Sequence, residues 1–149
     1  MALDNLFVRP IAARDEQEWR RLWSAYLGFY DTSVNEEVYR TTFDRLLSEA
    51  EFEPNGFIAT AEGKPVGLVH YIQHRTAWST RNTCYLQDLY VDPDARGTGA
   101  GRALIEAVYA RADELDLAGV YWLTQEHNVT ARKLYDRIAR NTKFIRYMR

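Results

Sequence analysis

Apolar residues recur along this chain with two different periods. Trp19, Leu22, Trp23, Tyr26, Leu27 and Tyr30 fall three or four positions apart, the spacing of one helix face. Asp15 stands where such a helix is capped, and Gly28 weakens its last turns. After a polar run over 31–35, in which Ser33 or Asn35 can cap, the spacing returns in Val38, Tyr39, Thr42, Phe43, Leu46 and Leu47. Pro54-Asn55-Gly56 breaks the chain after this second helix. The pattern then becomes that of strands. Phe57-Ile58-Ala59-Thr60-Ala61 leads into a tight turn at Glu62-Gly63-Lys64-Pro65 and a hairpin partner over 66–73, with Gly67 as a bulge position. A loop over 74–82 carries Trp78. The run Cys84-Tyr85-Leu86-Gln87-Asp88-Leu89-Tyr90-Val91 is a further strand, stopped by Pro93, and Phe7-Val8-Arg9-Pro10-Ile11 reads as an earlier short one.

Beyond Gly97, Gly99 and Gly101, a helix carries Leu104, Ala107, Val108 and Leu115, with Gly119 just past its end. Val120-Tyr121-Trp122-Leu123-Thr124 is a strand. Asn128 or Thr130 caps a last helix with Ala131, Leu134, Tyr135 and Ile138. Lys143-Phe144-Ile145-Arg146-Tyr147-Met148 has the composition of a terminal strand. The order β-α-α-β-β-β-α-β-α-β predicts an α/β protein with a mixed central sheet flanked by helices. It forms a single domain over residues 1–149, a length that buries a core without staples.

Composition narrows the function classes. The net charge is -2, so no global positive field exists to hold nucleic acid. Cys84 is the one cysteine, which rules out an intrachain disulfide and fits a reducing compartment. Met1-Ala2-Leu3-Asp4 places an acid where a signal peptide has a base, and no run approaches the roughly 20 apolar residues of a membrane span. No membrane partner is expected, and the expected location is cytoplasmic.

The chemistry concentrates in Arg96-Gly97-Thr98-Gly99-Ala100-Gly101-Arg102, between a strand and a helix. Glycines let the backbone take positive φ and approach a ligand, and a helix N-terminus offers N–H groups to an anion. A plain strand-to-helix turn needs one glycine, whereas three flanked by two arginines suit a phosphate or pyrophosphate. Neither common nucleotide fingerprint fits. Arg102 stands where a dinucleotide site has its third glycine, and Gly101 is followed by Arg102-Ala103 where a nucleotide P-loop has Lys-Ser/Thr.

Arg96-x-x-Gly99-x-Gly101 resembles the acetyl-CoA motif of the GNAT N-acetyltransferase superfamily. Leu89-Tyr90-Val91-Asp92-Pro93 is similar to its cofactor strand, and Asn128-x-x-Ala131-x-x-x-Tyr135 to its last block. The likeness runs through the whole chain. Trp19-Arg20-Arg21-Leu22-Trp23, the strand at Tyr85–Asp92 and Val120-Tyr121-Trp122-Leu123-Thr124 look like the fungal Hpa-type histone acetyltransferases, a branch that also contains enzymes acting on polyamines and D-amino acids. The resemblance implies the GNAT fold, acetyl-CoA as co-substrate, no metal, and an amine as acceptor. It implies that the cofactor strand splays from its neighbour. Leu89, Tyr90 and Val91 would then meet the pantetheine arm. Amides of Gly97, Thr98, Gly99, Ala100, Gly101 and Arg102, with Arg96, would hold the pyrophosphate. Asn128 and Ala131 would contact the pantetheine, and Tyr135 would lie near the sulfur as its acid.

A lysine-like amine, with pKa about 10.4, must lose a proton before it attacks a thioester. Polyamine-acetylating relatives carry Glu in the cofactor strand for this; here the position is Gln87, which accepts no proton usefully. Asp88 is the nearest acid, as a base through water, as a partner for the substrate ammonium, or as a structural carboxylate. Strand alternation sets it on the face opposite Gln87. Glu126 is a weaker candidate. Tyr26, Tyr30 and Trp78 either line an acceptor pocket or pack. His70 and His74 share one strand face at i, i+4 but lack a third ligand, which speaks against zinc.

The expected function is transfer of an acetyl group from acetyl-CoA to a primary amine of a small amine, polyamine or amino acid. The alternatives are a protein-lysine acetyltransferase and a non-catalytic acyl-CoA-binding module. The apolar terminal strand at 143–148 has an edge to hide, which predicts a homodimer formed through it.

Overall fold

The structure, a computed structural model, describes residues 5–149. Residues 1–4, which carry the expectation of no leader, lie outside the described residues. Five strands form one mixed sheet in the order β1(Leu6–Pro10), β2(Asn55–Ala61), β3(Lys64–His74), β4(Thr83–Val91), β5(Val120–Tyr121). The first three pairings are antiparallel and β4–β5 is parallel. Helices α1(Glu16–Phe29) and α2(Glu36–Leu46) cover one face, and α3(Ala100–Glu114), with α4(Val129–Ile138) beside it, covers the other. Among the described residues no helix is long and apolar enough to cross a membrane.

Both faces of the central strands are buried, which is why 57–61 and 66–72 read as nearly continuous apolar runs. Alternate residues serve the two cores. Ile58 and Leu68 pack with Trp19, Leu22 and Phe43 on the α1 side. Ala59 and Val69 pack with Leu104, Ile105 and Val108 on the α3 side. Asn35 caps α2 through Oδ1, which accepts the Val38 N–H at 3.1 Å. The β2–β3 turn holds Glu62 and Gly63 at positive φ.

Several expectations change. Asp15 makes no cap bond to α1. Its buried carboxylate accepts two bonds from Arg9, at 2.7 and 2.8 Å, and the Ala12 N–H at 2.8 Å, clamping the end of β1 to the start of α1. The β2–β3 register skips Val66, so the bulge residue is Val66 and not Gly67. Gly67 answers a close approach instead, since a Cβ there would stand 2.8 Å from the Tyr90 carbonyl oxygen. Val38, Leu47 and Leu115 are exposed and lie outside the cores, at the margins of their helices. The fifth strand covers two residues where five were expected. Residues 143–148 form no strand, and every one of them is exposed.

Candidate active site

The site begins with what β5 fails to cover. It pairs only with Cys84 and Tyr85, so from Leu86 to Val91 that edge of β4 has no strand beside it. The Asp92 N–H donates to Val66 at 2.8 Å and the Tyr90 carbonyl abuts Gly67, both on the β3 side. Strand alternation therefore turns the backbone groups of Leu89 and Val91 to the open edge. The Val91 carbonyl already accepts a bond there from Arg96 Nε at 3.0 Å. The side chain of Tyr90 points the other way, into the α1-side core.

The glycine loop closes one end of this opening. Gly97 and Gly99 hold φ of 74° and 96°, left-handed backbone that favours glycine. A Cβ at Gly99 would project into open space, and α3 starts there with no side-chain cap. Its first N–H groups face outward with the positive end of the helix dipole. Thr98 turns its hydroxyl back to the Ala95 carbonyl, and Arg102 pairs with Glu106 at 2.8 Å. The first turn of α3 approaches α4, with Leu134 Cδ2 3.6 Å from where a Gly101 Cβ would stand. Asn128 caps α4 through a 3.4 Å bond from the Ala131 N–H.

On the α1 face the bulge in β4 decides what meets what. Tyr71 pairs with Leu86 and His70 with Asp88, leaving Gln87 without a partner. The extra residue reverses the alternation. Cys84 and Leu86 face α3, but Asp88 and Tyr90 turn to α1, with exposed Gln87 at the bulge between. Asp88 Oδ2 stands 3.1 Å from His70 Nδ1, and His70 Nε2 stands 2.9 Å from Trp19 Nε1. His70 is buried between them at 3% exposure.

Aromatic rings continue from this cluster. Trp23 stacks on Tyr26 at 5.0 Å, and Tyr26 meets Tyr30 edge-on at 5.2 Å. Burial, and then the Asp88 carboxylate beside it, hold the Tyr26 phenol well above its ordinary value. Tyr135 of α4 packs edge-on to Trp122 at 5.4 Å. Burial pushes its phenol up to about 12, with Tyr30 adding to the shift. Ring contacts thus run from Trp23 through Tyr26 to Tyr30 beside Asp88, while Tyr135 packs on Trp122. These residues supply a carboxylate suited to an ammonium and a phenol that stays protonated at neutral pH.

The other candidates are placed apart. Trp78 is 97% exposed in the β3–β4 loop. Glu126 is exposed in the β5–α4 loop. His70 and His74 do share a face, but their ring nitrogens are turned to other groups. His74 Nδ1 lies 2.7 Å from the Arg75 carbonyl and its Nε2 2.7 Å from the Tyr121 hydroxyl. The parts played by Trp19 and His70 were not legible in sequence. A histidine inside an otherwise apolar strand was the one signal, and its partner required the register.

Residues 17–139 match the acetyltransferase (GNAT) family. The chain is 40% identical over 151 residues to the D-amino-acid N-acetyltransferase HPA3 of Saccharomyces cerevisiae, covering all of this chain and 93% of that one. It is 32% identical over 128 residues to the mycothiol acetyltransferase of Geodermatophilus obscurus, covering 83% of this chain and 40% of that longer one. The aminoglycoside N-acetyltransferase AAC(6')-Iy, solved with a bisubstrate analogue, superposes with a TM-score of 0.84 at 17% identity, covering 98% of both chains. At that identity the likeness speaks for the fold.

Proposed function

The chain belongs to the acetyltransferase (GNAT) family and is an N-acetyltransferase, and we propose that it moves the acetyl group of acetyl-CoA onto the primary amine of a small molecule, an amino acid or polyamine. It does so as a single domain in the cytoplasm. The observation that carries this is the unpaired β4 edge beside the positive-φ glycine loop. The fit to the co-substrate rests on three features of the chain: outward-facing backbone at Leu89 and Val91, positive-φ glycines with open space above them, and an uncapped helix N-terminus.

Acetyl-CoA, when bound, supplies a thioester with a thiolate leaving group. Leu89 and Val91 would hold the pantetheine arm through their backbone, with Asn128 and Ala131 on the opposite wall. Amides of Gly97, Thr98, Gly99, Ala100, Gly101 and Arg102, with the Arg96 cation, would hold the pyrophosphate. Asp88 draws the acceptor ammonium into the aromatic pocket and takes its proton through water. Tyr135 donates to the sulfur as negative charge develops there. Holding amine and thioester together supplies about 7–11 kcal/mol of the barrier.

The amino-acid class is favoured by the 40% identical relative, named for D-amino acids. Gln87 at the bulge, where a proton-accepting Glu would serve, favours the rival of a binding module without turnover. Thiol release with acetyl-CoA and a panel of D- and L-amino acids, polyamines and lysine peptides separates the readings. Turnover is expected with free small amines. Turnover restricted to peptide lysines overturns the acceptor class, and acetyl-CoA binding without any thiol release supports the binding module. The exposed Phe144, Ile145, Tyr147 and Met148 support a homodimer that buries this segment against a second copy.

A further inference from the structure

An indole nitrogen only donates. At 2.9 Å from Trp19 Nε1, the Nε2 atom of His70 must therefore be the acceptor. The proton of the neutral ring then sits on Nδ1, which faces Asp88 Oδ2 at 3.1 Å and donates to it. The ring has no freedom to choose otherwise: it is 3% exposed, tilted against Trp19 at 6.1 Å and Trp23 at 5.0 Å, and fixed in register opposite Asp88. One carboxylate oxygen is thereby committed. The Asp88 side chain remains one-fifth exposed beside the Tyr26 hydroxyl, a second donor to the carboxylate, so part of it stays open to a ligand. The bulge at Gln87 brings Asp88 under this donor. Without it Asp88 would face α3 with Cys84 and Leu86.

We propose that Trp19 and His70 are positioning residues for acetyl transfer: the indole N–H locks His70 as the Nδ1-protonated tautomer, and the Nδ1–H holds the Asp88 carboxylate towards the acceptor amine. The proposal rests on the acetyltransferase reading above. A half-buried carboxylate held by a fixed donor is restricted in direction, which orders the ammonium before attack. A Lys, Arg or charged His in the place of His70 would instead neutralise Asp88 and compete with the substrate. The neutral tautomer orients the carboxylate and leaves its charge available.

Two substitutions at one position separate positioning from structural support. In His70→Gln the amide reaches the place of Nε2 and can still accept from Trp19, but the donor to Asp88 is gone. In His70→Asn the amide N–H takes the place of Nδ1 and can still donate to Asp88, but Trp19 loses its acceptor. The stability order is then Gln above Asn, and the activity order Asn above Gln. We expect His70→Gln to raise KM for the amine about 10-fold, with acetyl-CoA affinity within about twofold of wild type, and His70→Asn to recover most of that loss despite a lower Tm. Activity that follows stability, or that is unchanged in His70→Gln, overturns the proposal. Nitrogen-15 NMR of the imidazole supplies a readout independent of turnover. A single proton on Nδ1 is expected in the wild type, with a proton reaching Nε2 in Trp19→Phe, and a wild-type proton on Nε2 overturns the tautomer lock. If the wild type acetylates no amine while Nδ1 carries the proton, the acetyltransferase reading fails with the positioning role, and only the hydrogen-bonded geometry stands.

Discussion

Replacing Tyr135 with Phe tests the catalytic end of the pocket. Burial pushes this phenol from its ordinary 10.0 up to about 12. An unperturbed cysteine thiol has a pKa of about 8.5. Complete transfer of the phenol proton to a free thiolate of that basicity would run uphill by roughly 3.5 pKa units, about 5 kcal/mol. Tyr135 is therefore expected to act as a hydrogen-bond donor to the sulfur while charge develops, not as an acid that gives its proton away early. A hydrogen bond to a charged group contributes about 1.5–3 kcal/mol, which converts to a loss of about 10- to 150-fold in kcat. Phe keeps the ring that packs edge-on to Trp122, so acetyl-CoA affinity and folding should be spared. The assay is thiol release at saturating acetyl-CoA and amine, with calorimetric titration of acetyl-CoA alongside. The pH dependence carries a further mark. A phenol with a value of about 12 keeps its proton through pH 7–10, so the ratio of wild-type to variant kcat should stay flat over that range. With an ordinary phenol the ratio would narrow towards pH 10, as the donor was lost. A kcat within twofold of wild type refutes the role, and a ratio that narrows refutes the burial argument behind it.

Gly99→Asp places a side chain at φ 96° and a carboxylate at the uncapped start of α3; calorimetry should show acetyl-CoA binding nearly abolished in a folded variant, and unchanged affinity would remove the pyrophosphate assignment. Asp15→Ala should cost about 1–3 kcal/mol in denaturant unfolding at pH 7. The Arg9 hydrogen bonds lower the Asp15 carboxyl below its ordinary 3.8, so its contribution is complete above that value and lost as pH falls through the lower folded value; the penalty should therefore shrink in acid. Burial raises the Cys84 thiol from 9.0 to about 11, which makes the un-ionised form part of the fold below pH 9 and withdraws about 2–3 kcal/mol as pH climbs from 9 to 11. Cys84→Ala should flatten that part of the alkaline stability curve, and an unchanged slope would contradict it. Light scattering at micromolar concentration should give twice the mass of one chain, and deletion of 143–149 should halve it or unfold the protein; a monomeric intact chain ends the dimer proposal.

Local periodicity determined much of this molecule. The helical faces built on Trp19 and Phe43, the two-sided burial of β2 and β3, and the mixed sheet all derive from spacing along the chain, because a helix turn and a strand pleat are properties of near neighbours. The glycine loop was legible for the same reason: φ of 74° and 96° is a demand that Gly97 and Gly99 meet residue by residue. Long-range pairing decided the rest. Asp15 reads as a helix cap until β1 brings Arg9 to it. Val120-Tyr121-Trp122-Leu123-Thr124 has the composition of a full strand, yet pairing ends at Tyr121, and that early end opens the edge of β4. Alternation alone would keep Asp88 on the face of Leu86, but a one-residue bulge turns it to α1 and beneath His70. Register and bulges are set by how two strands distant in sequence fit against each other and against the helices on both faces. No local pattern encodes that fit, so the tertiary structure alone joined Trp19, His70 and Asp88 into one site.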